Sequence, residues 1–265
     1  MINPSNKKRK TVKDLVKKSS IICLTAYTRS IAEIVDEYVD VILVGDSVGT
    51  VLYGFESTRD VTLDMMTRHA KTVSDATKKA LIVVDMPFGT YEKSKEHAYR
   101  NASELLEKSN AGAIKLEGGS EIEETIEYLV KKNINVMGHV GFLPQSIIKK
   151  SQNKVFGRLE GDKEKIFKDV DSLKNAGVFS IVIEATMTKL VEEILETYDF
   201  PFIGIGASQK CRGQILVTED LIGLTGFEAK FLKKFCNIRK IIETAVKKYK
   251  IDVESKKFPR KNNLY

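Results

Sequence analysis

Short apolar runs alternate with longer amphipathic segments along the chain, and this alternation predicts eight strands separated by helices. The clearest run is Val-Ile-Leu-Val at 41–44, which stops at Gly45 and is followed by Asp46 and Ser47. An unbroken apolar run bounded by glycine is typical of a parallel strand that is buried on both faces. The eight predicted strands cover residues 21–27, 39–45, 80–85, 113–117, 135–138, 180–184, 201–207 and 214–217.

The segments between these strands carry apolar residues at helical spacing. Two residue pairs are typical of helix N-termini. Thr11 with Asp14 predicts a variant of the capping box, and Ser120 with Glu123 predicts a capping box for a helix that ends at Lys132. The other predicted helices cover 30–37, 63–77, 93–109, 162–176, 188–197 and 237–253. The connection at 46–62 is long for a strand-to-helix loop, which indicates a functional loop.

This order of elements fits either an α/β fold of the (β/α)8 TIM barrel type or a doubly wound open sheet. We favour the barrel because no Gly-x-Gly-x-x-Gly motif follows the first strand, and because ionisable residues end several strands rather than one switch point. The prediction is one barrel domain over residues 1–265, with a basic N-terminal segment at 1–19 and a C-terminal helix at about 237–253.

Charge and cysteine content narrow the possible partners. The net charge is +7, but the excess of lysine and arginine lies near the two ends of the chain, which favours solvated surfaces over nucleic-acid binding. The three cysteines, Cys23, Cys211 and Cys236, are scattered without a Cys-x-x-Cys motif, which indicates a reducing compartment. No apolar run is long enough for a signal peptide or a membrane span, so we expect a cytoplasmic protein without a membrane partner.

Five predicted strands end in an ionisable residue: Asp46, Asp85, Glu117, His139 and Glu184. Neighbouring strands lie about 4.8 Å apart, so the three carboxylates at the ends of strands two, three and four should converge. Converging negative charges require a cation, and oxygen ligands with open positions favour Mg²⁺. The alternative is that each carboxylate caps the helix that follows it.

Three further side chains are candidates for this site. Lys115 lies two residues before Glu117 and points to the same face of the strand, so it could bind a substrate carboxylate or form a salt bridge with a neighbouring acid. His139 could support the site or donate to a backbone carbonyl. Glu184, across the ring from Asp46, is placed to act as a general acid or base.

The chain resembles the ketopantoate hydroxymethyltransferase family in six segments that occur in the same order. They are Val-Gly-Asp-Ser-Val-Gly at 44–49, Asp-Met-Pro-Phe at 85–88, Ile-Lys-Leu-Glu-Gly-Gly at 114–119, Gly-His-Val-Gly-Phe-Leu-Pro-Gln at 138–145, Ile-Glu at 183–184 and Ile-Gly-Ile-Gly-Ala at 203–207. The resemblance implies a TIM barrel of the phosphoenolpyruvate/pyruvate type. It also implies transfer of a hydroxymethyl group from 5,10-methylenetetrahydrofolate to 3-methyl-2-oxobutanoate, which gives 2-dehydropantoate for pantothenate and coenzyme A biosynthesis.

The same resemblance implies roles for individual residues. One Mg²⁺ per subunit is implied to lie among Asp46, Asp85 and Glu117. The oxo acid is implied to contact Asp46, Ser47, Asp85 and Lys115. Glu184 is implied to be the proton acceptor. The family is typically a homo-oligomer, often a decamer, with the 2-oxo acid and folate as its small-molecule partners.

Four positions depart from the family pattern: Thr28 and Arg212 stand where aspartate is usual, Ser208 where glycine is usual and Leu143 where threonine is usual. These departures concern folate-side contacts, and the hypothesis for Arg212 is that it alters binding of the folate glutamate tail. Two other functions stay open. One is a Mg²⁺-dependent C–C lyase of 2-oxo or hydroxy acids, typically with a cysteine in a mobile loop; the other is a non-catalytic basic RNA-binding protein.

Overall fold

The computed structural model describes residues 9–147 and 155–265, and within them it confirms the predicted barrel. Eight parallel strands close in chain order, and β8 pairs with β1 so that Ile21 lies opposite Gly213. The strands are β1 Ile21–Thr25, β2 Val41–Val44, β3 Leu81–Asp85, β4 Ala113–Lys115, β5 Val136–Gly141, β6 Ser180–Glu184, β7 Phe202–Ile205 and β8 Gly213–Leu216.

The described helices lie before, between and after the strands. They are α1 Val12–Val16, α2 Arg29–Val35, α3 Val48–Val51, α4 Leu63–Ala76, α5 Lys95–Ser109, α6 Glu123–Lys131, α7 Glu160–Asn175, α8 Thr188–Thr197, α9 Thr218–Leu221 and α10 Ile238–Glu254. Short 3₁₀ turns cover Thr58–Asp60, Ser120–Ile122, Pro144–Ser146 and Lys261–Asn263. None of the described helices is long and apolar enough to cross a membrane.

The chain divides into two compact units, Met1–Val217 and Thr218–Tyr265. The first unit contains the barrel, and the second contains α9 and α10. The predicted C-terminal helix is present as α10, which begins after Asn237 and has no buried residue. The prediction of a single domain stays a prediction, and residues 1–8 of the predicted basic segment lie outside the described residues.

Two apolar layers explain why the strand sequences are apolar without alternation. Side chains such as Val41 and Leu43 point into the ring, whereas Ile42 and Val44 pack against the surrounding helices. Successive side chains of a strand point to opposite faces, so a strand with both faces covered needs an apolar residue at every position. All four residues of β2 are buried for this reason.

Several sequence predictions were wrong in detail. His139 lies inside β5 rather than at its end, and Glu117 follows the last residue of β4 by two positions. The predicted capping box at Ser120 is absent, because the backbone N–H of Ser120 donates to Asp169 on α7 and α6 begins only at Glu123. The long connection at 46–62 is partly helical, since it contains α3 and the Thr58–Asp60 turn.

The buried carboxylate of Asp40 binds two lysines of the N-terminal segment at the amino-terminal end of the barrel. The Nζ atoms of Lys10 and Lys18 lie 2.7 Å and 2.6 Å from Oδ1 of Asp40, and the N–H of Ile22 donates to Oδ2 at 3.0 Å. Burial alone would raise the pKa of Asp40, but the hydrogen bonds from these three partners outweigh it and lower the pKa. Leu15, between the two lysines, belongs to the apolar cluster inside the ring.

Replacing Asp40 with Asn should lower the free energy of unfolding by ~2 kcal/mol at pH 7, since hydrogen bonds to charged groups contribute roughly 1.5–3 kcal/mol. The substitution also leaves Lys10 and Lys18 without their counter-charge. Urea unfolding followed by circular dichroism measures the difference. Asp75→Asn, which removes the exposed partner of Lys71, is the control and should change stability by less than ~0.5 kcal/mol.

The effect of Asp40→Asn should depend on pH in one direction. A lowered folded-state pKa stabilises the protein above the unfolded carboxyl pKa of 3.8, and this contribution is lost as the pH falls through the folded-state value. Variant and wild type should therefore converge in stability at low pH. A difference that grows with acidification would contradict the assignment.

Candidate active site

One cavity opens at the carboxyl ends of the strands, and the structure places all seven predicted site residues around it. They are Asp46, Ser47, Asp85, Lys115, Glu117, His139 and Glu184. They come from five consecutive strands, β2 to β6, or from the loops that follow these strands. The barrel thus brings together side chains that are up to 138 positions apart in the sequence (from 46 to 184). This end of a TIM barrel is where catalytic residues lie.

The three predicted metal carboxylates are buried together. Asp46 follows β2, Asp85 ends β3 and Glu117 follows β4, and each is at most 5% exposed. The N–H of Asp46 donates to Oδ2 of Asp85 at 3.0 Å. Burial and the neighbouring charges of Asp85 and Glu117 raise the pKa of Asp46 well above its usual value. None of the three is the N-cap of a following helix; for example, the N-cap of α3 is Ser47.

Lys115 is the cation nearest these acids among the described residues. Its Nζ lies 2.9 Å from Oδ1 of Asp85 and 3.3 Å from Nδ1 of His139, and the residue is 4% exposed. Burial lowers the pKa of Lys115, but the charges of Asp85 and Glu117 outweigh burial and raise it. The salt bridge considered as an alternative is therefore present, and the ammonium group still borders the cavity.

His139 connects two acidic residues on opposite sides of its ring. Its Nδ1 lies 3.5 Å from Oε1 of Glu117, and its Nε2 lies 3.2 Å from Oε2 of Glu184. Burial and Lys115 lower the pKa of His139, whereas Glu117 and Glu184 raise it, and the net shift is upward. Both ring nitrogens face side chains, so the alternative prediction that His139 donates to a backbone carbonyl is wrong.

Ser47 is oriented by a residue that the sequence analysis missed. The hydroxyl of Tyr27 lies 2.7 Å from Oγ of Ser47, and Tyr27 is 1% exposed. Tyr27 follows β1, and its backbone carbonyl contacts Nδ1 of His69 at 2.7 Å. The pairing joins loops after two neighbouring strands, so no local sequence pattern identifies it.

Gln145 is the second residue that the sequence analysis missed. Its side-chain amide donates to Oδ2 of Asp46 at 2.8 Å and to the carbonyl of Met86 at 3.0 Å, and its Oε1 accepts from the hydroxyl of Tyr91 at 2.7 Å. Its backbone N–H donates to Oε2 of Glu117 at 2.9 Å. The sequence signal that could have identified Gln145 is its position as the last residue of the segment 138–145, one of the six segments that resemble the family.

Glu184 differs from the other acids in its exposure. It ends β6, and 19% of its side chain is exposed to solvent, whereas the other three carboxylates are nearly covered. An apolar wall from four strands or strand ends lines the same cavity: Leu43, Val182, Ile205, Ile215 and Leu216. The cavity is therefore lined by buried charged groups, by one more accessible carboxylate and by apolar side chains.

Two of the positions that depart from the family pattern have clear structural roles. Thr28 caps α2, where its side chain accepts from the N–H of Ile31. Arg212 precedes β8 at the amino-terminal end of the barrel, where its guanidinium donates to the carbonyl of Val16 and pairs with Asp199 at 2.5 Å. This end of the barrel lies opposite the cavity, and the hypothesis that Arg212 alters binding of the folate glutamate tail stays a prediction.

The donor set suits a divalent cation. Asp46, Asp85, Glu117 and Glu184 supply four carboxylates against the cation of Lys115, and hard oxygen donors are what Mg²⁺ binds. Within residues 9–147 and 155–265, no three Asp, Glu, His or Cys side chains already lie in a metal-binding arrangement. The assignment of Mg²⁺ to these carboxylates stays a prediction.

Comparison with solved structures supports the fold. Phosphonopyruvate hydrolase in complex with oxalate and Mg²⁺ is 10% identical with a TM-score of 0.61, and the match covers 96% of this chain and 93% of that one. A 2,3-dimethylmalate lyase of the PEP mutase/isocitrate lyase superfamily is 13% identical with a TM-score of 0.61, over 89% of this chain and 84% of the other.

Comparison of sequences identifies the family. The 3-methyl-2-oxobutanoate hydroxymethyltransferase of Pelagibacter ubique is 49% identical over 94% of this chain and 95% of its own length. The enzyme of the same name from Bartonella tribocorum is 46% identical over 92% of this chain and 90% of its own length. That from Brucella canis is 40% identical over 100% of this chain and 98% of its own length. A family model described as ketopantoate hydroxymethyltransferase matches residues 7–261. The chain therefore belongs to the ketopantoate hydroxymethyltransferase family.

Proposed function

We propose that this protein transfers a hydroxymethyl group from 5,10-methylenetetrahydrofolate to 3-methyl-2-oxobutanoate and forms 2-dehydropantoate. The observation that carries the proposal is the cluster of three buried carboxylates with Lys115, in a chain whose relatives at 40–49% identity carry the corresponding name. The product would feed pantothenate biosynthesis. The predicted homo-oligomer and cytoplasmic location stay predictions.

Asp46, Asp85 and Glu117 are the residues that would hold Mg²⁺. Burial and the charges of Asp85 and Glu117 raise the pKa of Asp46. The three carboxylates carry more negative charge than Lys115 alone can neutralise, and this excess supports a bound divalent cation. When bound, the ion would act as a Lewis acid toward the carbonyl group of the oxo acid.

Lys115 and Ser47 would bind and orient the oxo acid. The positive charge of Lys115 complements the carboxylate of the substrate, and the Ser47 hydroxyl, paired with Tyr27, can donate a hydrogen bond to it. The apolar wall that includes Val182 and Ile205 suits the branched alkyl group of 3-methyl-2-oxobutanoate. Fixed orientation of this kind lowers the entropic part of the barrier.

Glu184 would remove the proton from C3 of the oxo acid. It is the most exposed carboxylate of the cavity, and its Oε2 lies 3.2 Å from Nε2 of His139. Loss of the C3 proton would give an enolate, whose C3 forms a bond to the methylene carbon carried by folate. Both bonds from that carbon to the folate nitrogens are broken, one water supplies the hydroxyl oxygen, and tetrahydrofolate leaves. A positioned base of this kind contributes about 10²–10⁴-fold to the rate.

The lyase alternative lacks support in the cavity. A lyase of this fold was expected to carry a cysteine in a mobile loop, and the described residues that line the cavity include no cysteine. Cys23 and Cys211 are buried, and burial raises the pKa of both thiols, which disfavours the reactive thiolate.

Glu184→Gln should slow Mg²⁺-dependent exchange of the C3 proton of 3-methyl-2-oxobutanoate with D₂O by about 10²–10⁴-fold, because the amide cannot accept the proton. Nuclear magnetic resonance of the substrate, without folate, measures the exchange. Glu196→Gln, at an exposed position of α8, is the matched control and should exchange normally. Exchange by Glu184→Gln at the wild-type rate would rule out Glu184 as the base.

Asp85→Asn should weaken Mg²⁺ binding by at least about 10-fold, the loss seen even when an indirect partner of a metal ligand is removed. The change removes one anionic donor and leaves the charge of Lys115 to repel the cation. Isothermal titration calorimetry measures the affinity. Asp64→Asn, which removes the exposed partner of Arg68, should bind Mg²⁺ as the wild type does, and equal affinity in Asp85→Asn would contradict the metal site.

A further inference from the structure

Gln145 lies at the point where the loops after four strands meet. It belongs to the 3₁₀ turn Pro144–Ser146 after β5 and is 3% exposed. Its contacts reach Asp46 after β2, Met86 after β3 and Glu117 after β4. It therefore touches two of the three carboxylates proposed to hold Mg²⁺.

The orientation of the Gln145 amide is determined by its partners. Two acceptors, Asp46 Oδ2 and the Met86 carbonyl, surround one terminal atom, which must be the donating Nε2. The Tyr91 hydroxyl faces the other terminal atom, Oε1. A flipped amide would place oxygen against two acceptors, so the network admits one orientation.

The backbone of Gln145 is held as firmly as its side chain. Its N–H donates to Oε2 of Glu117, and its carbonyl accepts from Nη1 of Arg59 at 2.7 Å. The guanidinium of Arg59 stacks on Phe88, with Cζ 3.4 Å from the ring centroid. The long loop after β2, which contains Arg59, thus fixes the turn that carries Gln145.

We propose that Gln145 is a positioning residue that holds Asp46 and Glu117 in the orientations that set the Mg²⁺ affinity of the site. Mutual repulsion would turn the carboxylates away from one another, and Gln145 donates one hydrogen bond to each of them. The side-chain amide donates to Asp46 and the backbone N–H donates to Glu117, and neither group adds a positive charge that competes with a cation. The proposal rests on the metal site proposed above.

The test is Gln145→Met, which keeps the length of the side chain and removes the amide that donates to Asp46 and to the Met86 carbonyl, while the backbone N–H that donates to Glu117 remains. Mg²⁺ affinity, measured by isothermal titration calorimetry in the absence of substrates, should fall by about 10–100-fold. Gln209→Met, the same exchange at an exposed position, should leave the affinity unchanged. Wild-type affinity in folded Gln145→Met would overturn the proposal.

A second readout separates positioning from a general structural defect. If Gln145 acts through Mg²⁺ affinity, a sufficient excess of Mg²⁺ should restore kcat of Gln145→Met to within about 3-fold of wild type, since a weakened site still fills at high concentration. Failure of excess Mg²⁺ to restore kcat would also overturn the proposal. Circular dichroism and the Tm establish that the variant is folded.

Tyr91→Phe provides an independent variant should Gln145→Met not fold. It removes the hydroxyl that lies within hydrogen-bond distance of Oε1 of Gln145 and of the Glu117 carbonyl, and Mg²⁺ affinity should fall by about 3–10-fold, the value of one hydrogen bond. Unchanged affinity in Tyr91→Phe would then overturn the proposal. Absence of Mg²⁺ binding by the wild type would reject the metal site as well, whereas normal binding by the wild type and by both variants would reject only the role of Gln145.

Discussion

The negative charges of Asp46, Asp85 and Glu117 are buried side by side, and the arrangement of the site follows from their repulsion. Carboxylates in such surroundings become protonated or acquire a compensating partner. The chain provides Lys115 inside the ring and hydrogen-bond donors from Gln145. These partners hold the acids in place but leave an excess of negative charge, which is the condition for binding a divalent cation.

The barrel separates this costly arrangement from the interactions that stabilise the fold. At the amino-terminal end, the carboxylate of Asp40 is fully paired with Lys10, Lys18 and a backbone N–H. At the carboxyl end, Glu184 remains partly exposed and Asp46 has a raised pKa. Two layers of apolar side chains, one inside the ring and one around it, lie between these two ends.

The fold and the charged members of the site were predictable because each leaves a local signal. A strand buried on both faces is an apolar run, and a polar residue directly after it, such as Asp46 or Asp85, is conspicuous. The roles of Gln145 and Tyr27 were not predicted, because they depend on contacts between loops that follow different strands. The capping box at Ser120 failed for the same reason: Asp169, which is distant in sequence, takes the Ser120 N–H.

The sharing of one divalent ion by Asp46, Asp85 and Glu117 is the proposal on which the roles of the other residues depend. Anomalous diffraction from crystals soaked in Mn²⁺, a substitute for Mg²⁺ with the same preference for oxygen ligands, tests it directly. The account predicts one strong anomalous peak among the three carboxylates, within direct or water-mediated reach of each. A crystal of active protein with no peak there, or with its Mn²⁺ bound elsewhere, would contradict the account.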